Sequence, residues 1–258
     1  IKNDIARECL RFLNVDPPLF ISTTSDLPVS SGLGSSSSFA VGLLLALHSL
    51  RGETVTAGQL AEEACHIEID VLGKPIGKQD QYAAAFGGIN FYEFMKDGRV
   101  RVEALWNRVT DLQELFDSGT LYWTGVQRRA EDVLGEQQKN IPSQIEALKK
   151  MTGLAKSCRL SFLNSENLVG DIASIVNQGW AYKRNYASTV SSSTLEDGIA
   201  RAIAAGAHGA KIAGAGGGGF LYVLASDRDK ESVTKALSPM SPVSFKYCQF
   251  GSKVLTAI

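Results

Sequence analysis

Residues 26–47 read DLPVSSGLGSSSSFAVGLLLAL, with two glycines, Gly32 and Gly34, and a run of serines standing directly before an apolar stretch. Glycine lets a backbone approach a ligand with no Cβ in the way. The first turn of the helix behind it offers unpaired N–H groups and roughly half a positive charge. Together these suit an anion, phosphate above all. The serines add hydroxyl donors, and a hydroxyl can also ligate Mg2+. A serine N-cap on an ordinary buried helix would explain one of these serines and no more. The stretch lacks the lysine of a P-loop, G-x-x-x-x-G-K-[ST], and the third glycine of a dinucleotide fingerprint.

A second cluster, KIAGAGGGGF at 211–220, holds five glycines in the six positions 214–219. A hairpin turn needs only about two such residues, and the surplus costs conformational entropy. Close approach of this backbone to a ligand, or to the first loop, accounts for it better. Between the clusters lies HIEIDVLGKPIGKQDQYAAAFGG, 66–88. Glu68 and Asp80 are its carboxylate candidates, although a lone Glu on a helix more often lies on a solvated face. Helical spacing puts Glu68 on the face away from Leu60, Ala64 and Val71. Asp80 leads into a run of small residues, which predicts partial burial and a need for a partner. Lys78 is a candidate to pair with Asp80 or with a phosphate.

Pro28-x-x-x-Gly32-Leu33-Gly34-Ser35-Ser36-Ser37 resembles the second motif of the GHMP kinases, P-x-x-x-G-L-G-S-S-A, with Ser37 where Ala is usual. Residues 214–219 resemble the third motif, in the right order along the chain. The family includes galactokinase, homoserine kinase, mevalonate kinase and phosphomevalonate kinase. The resemblance implies that Pro28, Ser31, Gly32, Leu33, Gly34, Ser35, Ser36 and Ser37 bind ATP. It implies that Gly214, Ala215, Gly216, Gly217, Gly218 and Gly219 complete the active site. Ser36 and Glu68 would hold Mg2+, and Asp80 would act as general base or orienting carboxylate. The implied fold is a two-domain α+β kinase with ATP between the domains. The first domain, 1–118, would be like domain 2 of ribosomal protein S5; the second, 119–258, would be ferredoxin-like.

Three stretches, GKQDQYAAAFGGINFYEF, LYWTGVQRRAEDVLGEQQKN and WAYKRNYASTVSS, are similar to the sugar-kinase branch that phosphorylates D-glycero-D-manno-heptose 7-phosphate at O1. Such a substrate needs a cationic pocket, to which the planar fork of Arg is suited. Arg128, Arg129, Lys183 and Arg184 are candidates, with ordinary surface charge an equal competitor. A fucokinase or other sugar-1-kinase would not need them, and a non-catalytic nucleotide- or sugar-binding regulator is the alternative outside enzymes. The family's first, N-terminal motif is absent, and the chain begins with Ile. The expectation is therefore a chain that lacks several strands of the first domain and much of the sugar site.

The bulk numbers agree with a small-molecule enzyme. Lys and Arg number 26 against 27 Asp and Glu, a formal charge of −1. That balance argues against a nucleic-acid or membrane-surface partner. The longest apolar run, Phe39 to Leu47, is far short of the ~20 residues of a membrane span. With no signal peptide visible, the expected compartment is the cytoplasm. Cys9, Cys65, Cys158 and Cys248 form no CxxC pair and read as reduced structural thiols. His48, His66 and His208 show no metal spacing and read as structural, and Trp106, Trp123 and Trp180 as core or pocket lining.

Periodicity predicts helices over about 2–13, 36–50, 57–72, 127–140, 142–163, 166–187 and 227–237. It predicts strands at LFISTTS (19–25), a hairpin from GGINFYEF and GRVRVEAL, and further strands at TLYWTG, either side of the second glycine cluster, and at VSFKYCQF. A turn near 117–119 suggests the domain boundary.

Overall fold

The computed structural model describes residues 1–16, 18–28, 31–105, 109–127 and 130–255. The chain divides into two compact units. One comprises Ile1–Val29, Gly34–Ala104 and Cys248–Ile258; the other comprises Ser30–Leu33 and Leu105–Tyr247. The first loop is therefore split: residues 31–33 belong to the second unit, and the chain from Gly34 onward to the first.

The first unit begins with α1 (Asp4–Phe12), whose Asn3 side chain accepts from the Ala6 N–H and so caps it. α2 (Ser35–Leu50), α3 (Ala57–Cys65) and α4 (Gln79–Phe86) follow. Their apolar faces meet in one core: Ile5, Cys9 and Leu10 of α1; Val41, Leu44 and Leu47 of α2; Leu60 and Ala64 of α3; Tyr82 and Ala85 of α4. Burial raises the thiol pKa of Cys9 and of Cys65 to about 12 each, which keeps both protonated and inert. β1 (Asn90–Phe94) and β2 (Val100–Ala104) form the expected hairpin, with Tyr92 opposite Val102.

At the far end of α2, His48 is buried between two carboxylates. Its Nδ1 lies 2.6 Å from Glu53 Oε2 and its Nε2 2.8 Å from Glu63 Oε2. Burial alone would lower the imidazole pKa, but the hydrogen bonds to Glu63 and Glu53 outweigh it and raise it above the ordinary value. His48 is thus held in place by two carboxylates that favour its charged form.

The second unit is built on a four-stranded antiparallel sheet in the order β4-β5-β3-β6. These strands are β3 (Gly119–Trp123), β4 (Gly209–Ile212), β5 (Phe220–Leu224) and β6 (Ser241–Val243). The central pairing sets Tyr122 opposite Leu221 and Trp123 opposite Phe220. The helices α5 (Val109–Ser118), α6 (Ala130–Asn140), α7 (Ile145–Asn164), α8 (Leu168–Lys183), α9 (Ser193–Ala204) and α10 (Lys230–Leu237) complete it. Its core joins Tyr122, Ile212, Leu221 and Val223 of the sheet to Val133, Trp180, Leu195, Val233 and Leu237 of the helices. No helix among the described residues is long and apolar enough to cross a membrane.

Several expectations are corrected. Residues 18–25 form no strand, and Phe20 is 93% exposed; alternation predicts a strand only where a partner edge exists. The closing strand is Ser241–Val243 rather than 243–250, because Phe245 and Tyr247 turn aside to pack on Phe116, with ring centroids 5.7 and 5.4 Å away. α4, α5 and α9 lie where periodicity picked out no helix, and the buried face of α9 includes the small residues Gly198 and Ala202, a weak signal. The two compact units also follow different lines from a boundary near 118. α5 packs on α8 and β3, and the chain after 247 returns to the first unit, where Gly88 N donates to Cys248 O and Ser252 N to Ala84 O.

Candidate active site

The loop ahead of α2 needs a backbone that side chains resist. Gly32 and Gly34 have φ of +79° and +69°, in the left-handed region that glycine enters freely. Gly34 is the N-cap residue of α2, and no side chain caps that helix. The alternative of an ordinary serine-capped helix is thereby removed, and the first-turn N–H groups have no side-chain cap. Ser31 is buried, and its hydroxyl has no hydrogen-bond partner among the described residues. An open helix end is the donor set that a phosphate chain uses. Leu33 and Ser35 are half-buried on this loop, and Pro28 is exposed before it.

The next serines turn inward to Glu68. Ser36 Oγ donates to Glu68 Oε1 at 2.5 Å, and Ser37 Oγ to Oε2 at 2.7 Å. Gln81 Nε2 adds a third bond, 2.7 Å to Oε2. Lys74 Nζ lies 3.0 Å from Ser36 Oγ and 3.2 Å from Glu68 Oε1. Glu68 is fully buried, against the reading that turned it away from the apolar face. The reason is local. After Cys65 the α-helix widens to a π-helical turn, His66–Val71. One extra residue per turn rotates everything beyond it. Ile67 and Glu68 go inside, and Val71, expected on the buried face, is 48% exposed.

Asp80 stands in the first turn of α4 and is exposed, not half-buried. A carboxylate is favoured at a helix N-terminus and in water, and burial goes to its neighbours Gln81 and Tyr82 instead. Asp80 lies over the first loop: a Cβ placed on Gly34 would meet Asp80 Cγ at 3.2 Å and Oδ2 at 3.4 Å. Lys78 is bound by Glu62, 3.0 Å away, and by the Gly98 carbonyl at 3.2 Å.

In the second unit, residues 214–219 are the loop between β4 and β5, closed by Ala213 N donating to Phe220 O at 2.8 Å. The loop lies directly against the first. A Cβ on Gly214 would fall inside the Gly32 backbone, and one on Gly219 inside the Ser31 carbonyl. Only glycine permits that approach, and both positions have positive φ, +62° and +81°. Neighbours fix the loop from every side. Gly217 N donates to Val190 O at 2.7 Å and Gly219 N to Val126 O at 2.8 Å. Thr124 Oγ1 donates to Gly219 O at 2.8 Å, Gln137 Nε2 to Ala215 O at 2.9 Å, and Lys183 Nζ to Gly214 O. Gly216 and Gly218 pack closely on the Val190 and Val126 carbonyls.

The turn that carries Val190 is itself held by Glu136. That carboxylate accepts from the N–H and hydroxyl of Ser188, both at 2.8 Å, and from those of Thr189. The Thr189 and Ser188 hydrogen bonds lower its pKa to about 2. Of the remaining cation candidates, Arg184 pairs with Glu196 at 3.0 Å, while Arg128 and Arg129 lie outside the described residues. Sequence reasoning missed Lys74, Gln81, Gln137 and Glu136. Gln81, next to Asp80 in GKQDQ, was within reach of it; the others gave no signal.

Family models for this architecture match the chain twice: GHMP kinases N terminal domain over 3–88, and GHMP kinases C terminal over 165–240. The chain belongs to the GHMP kinase family. Among curated GHMP kinases it is 33% identical, over 84% of its length and 64% of the relative's, to a Campylobacter jejuni D-glycero-alpha-D-manno-heptose 7-phosphate kinase. It is 29% identical to a Pyrococcus horikoshii mevalonate kinase, over 83% of its length and 62% of the relative's. The chain thus spans less than two thirds of these relatives. A solved structure described as a D-glycero-D-manno-heptose 1-phosphate kinase from Bacteroides thetaiotaomicron superposes with a TM-score of 0.75 at 28% identity. That match covers 98% of this chain and 74% of the other. A Lactococcus lactis galactokinase, at TM-score 0.71 and 18% identity over 97% of this chain and 75% of that one, shares the fold.

Proposed function

We propose that the chain works in an ATP-dependent sugar kinase of the GHMP family, and that the acceptor is O1 of D-glycero-D-manno-heptose 7-phosphate. The observation that carries the kinase reading is the packing of residues 214–219 against Ser31 and Gly32, just ahead in sequence of a helix with no side-chain cap. Free helix N–H groups and hydroxyls of this kind are what a polyphosphate takes. Support for the sugar comes from the similarity to the Campylobacter jejuni enzyme.

Ser36 Oγ and Glu68 Oε1 are hard oxygen donors of the kind Mg2+ takes. When bound there, the ion would neutralise charge on the phosphates. Asp80 takes the proton of the acceptor hydroxyl, or orients it, as that oxygen bonds to the γ-phosphorus and the bond to ADP breaks. Asp80 is exposed in the first turn of α4, within reach of an acceptor hydroxyl beside the first loop. Arg128 and Arg129 would receive the substrate's existing phosphate, and substitution of either by Ala would raise KM for the phosphorylated sugar alone. The cytoplasm, with its ATP, is the compartment for this reaction.

The test is ATP turnover by the full-length protein against heptose 7-phosphate, unphosphorylated heptose, fucose and mevalonate. Turnover restricted to the first supports the whole reading, fucose turnover moves it within the family, and no turnover with any sugar overturns it. Asp80→Asn should lower kcat by about 10²–10⁴ while leaving the melting temperature unchanged, since the side chain is exposed. Unchanged kcat would remove Asp80 from the reaction.

A further inference from the structure

Glu68 is a carboxylate with no exposed surface, and a carboxyl group buried in this way has to be held by polar partners. Among the described residues the cation within ion-pair distance is Lys74. Its ammonium rests on two oxygens, Ser36 Oγ at 3.0 Å and Glu68 Oε1 at 3.2 Å. The other carboxylate oxygen is taken by Ser37 and Gln81. The two oxygens under Lys74 are those assigned above to Mg2+. A magnesium ion needs its oxygens at about 2.0–2.1 Å, and an ammonium already bridging them excludes it.

Lys74 is also placed to leave. It follows the π-helical turn in a segment without regular structure, between Gly73 and Pro75, and its side chain retains 14% exposure. Its own N–H donates to the Glu68 carbonyl at 3.0 Å, so the backbone stays in place while the flexible stem swings.

We propose that Lys74 is a resident cation that occupies the Ser36–Glu68 seat in the nucleotide-free protein and is displaced when a divalent ion enters. Lys74 is then a positioning residue: it holds the Glu68 carboxylate and the Ser36 hydroxyl in place, and it sets the threshold for divalent binding. The inference rests on the assignment of Ser36 and Glu68 to the metal.

The test uses Lys74→Met and Lys74→Arg in the full-length protein without nucleotide. Melting is followed in EDTA and in Mg2+, and Mn2+ binding by electron paramagnetic resonance. In EDTA, Lys74→Met melts below wild type and Lys74→Arg close to it. Mg2+ raises the melting temperature of Lys74→Met and leaves wild type nearly unmoved. Mn2+ binds Lys74→Met about tenfold tighter than wild type, since a competing charge is gone, and adding Glu68→Gln abolishes the gain. Lys74→Met that melts like wild type in EDTA overturns the proposal. So does a destabilised Lys74→Met with unchanged Mn2+ affinity, which would make the pair a plain ion pair. Failure of the underlying assignment shows elsewhere: wild type and Glu68→Gln would then need the same Mg2+ concentration for turnover.

Discussion

The two glycine loops touch, yet they are built in opposite ways. The first carries side chains and leaves its polar groups open: α2 has no side-chain cap and the Ser31 hydroxyl has no partner among the described residues. The second carries almost no side chains, and its backbone is claimed by Val126, Val190, Thr124, Gln137 and Lys183. Its glycines permit contact with the first loop rather than mobility. The first loop keeps its donors open, and the second is a wall packed against Ser31 and Gly32.

The sharpest attack on that division is Gly214→Ala. The new Cβ collides with Gly32 backbone at a positive φ, and overpacking plus strain should cost about 3 kcal/mol or more in denaturant titrations. Gly52→Ala is the control: it has a similar φ, +73°, but open space around it, so its cost should stay near about 1 kcal/mol. Equal losses would mean that contact between the loops contributes nothing.

Ser37→Ala comes next. It removes a buried hydrogen bond to Glu68 and should lower stability by about 1–2 kcal/mol. A neutral result would show that the first loop is not anchored by its serines. Glu136→Gln, on the second loop's side, should weaken nucleotide binding by a few-fold (about 1 kcal/mol or less of binding energy). The turn through Val190 loosens, and titration with ATP would read it.

The mildest probe acts at the far end of α2. The His48 pKa is higher folded than unfolded, so its stabilisation is full below the unfolded value of about 6.5 and disappears as pH rises through the folded value. Unfolding free energy should therefore decline across that window, and His48→Gln should flatten the decline. A wild-type profile as flat as that of the variant would mean that the imidazole is neutral in the fold.

Much of this was legible in the sequence. The β1–β2 hairpin, the strand-loop-strand around 214–219, and the buried α2 follow from alternation, glycine clustering and a long apolar run. Two glycine clusters in the right order identified the family. Details set by tertiary contacts were not legible. LFISTTS alternates like a strand and is none, because alternation says nothing of a partner edge. Asp80 heads a small-residue run yet stays in water, because a helix start favours its charge. Lys74 looked like any loop lysine, since only the fold brings it onto Glu68. Glu68 itself was named for its chemistry but assigned to the wrong face, because spacing rules assume a constant pitch.

That change of pitch at His66–Val71 has a consequence for how this stretch can vary. Swapping one residue type for another there leaves the phase of the helix intact, whereas deleting a single residue would restore the ordinary winding. Glu68 would then turn about a quarter of the way round the axis (roughly 100° per residue), pulling its carboxylate off Ser36 and Ser37. Length, more than composition, is what this segment must conserve.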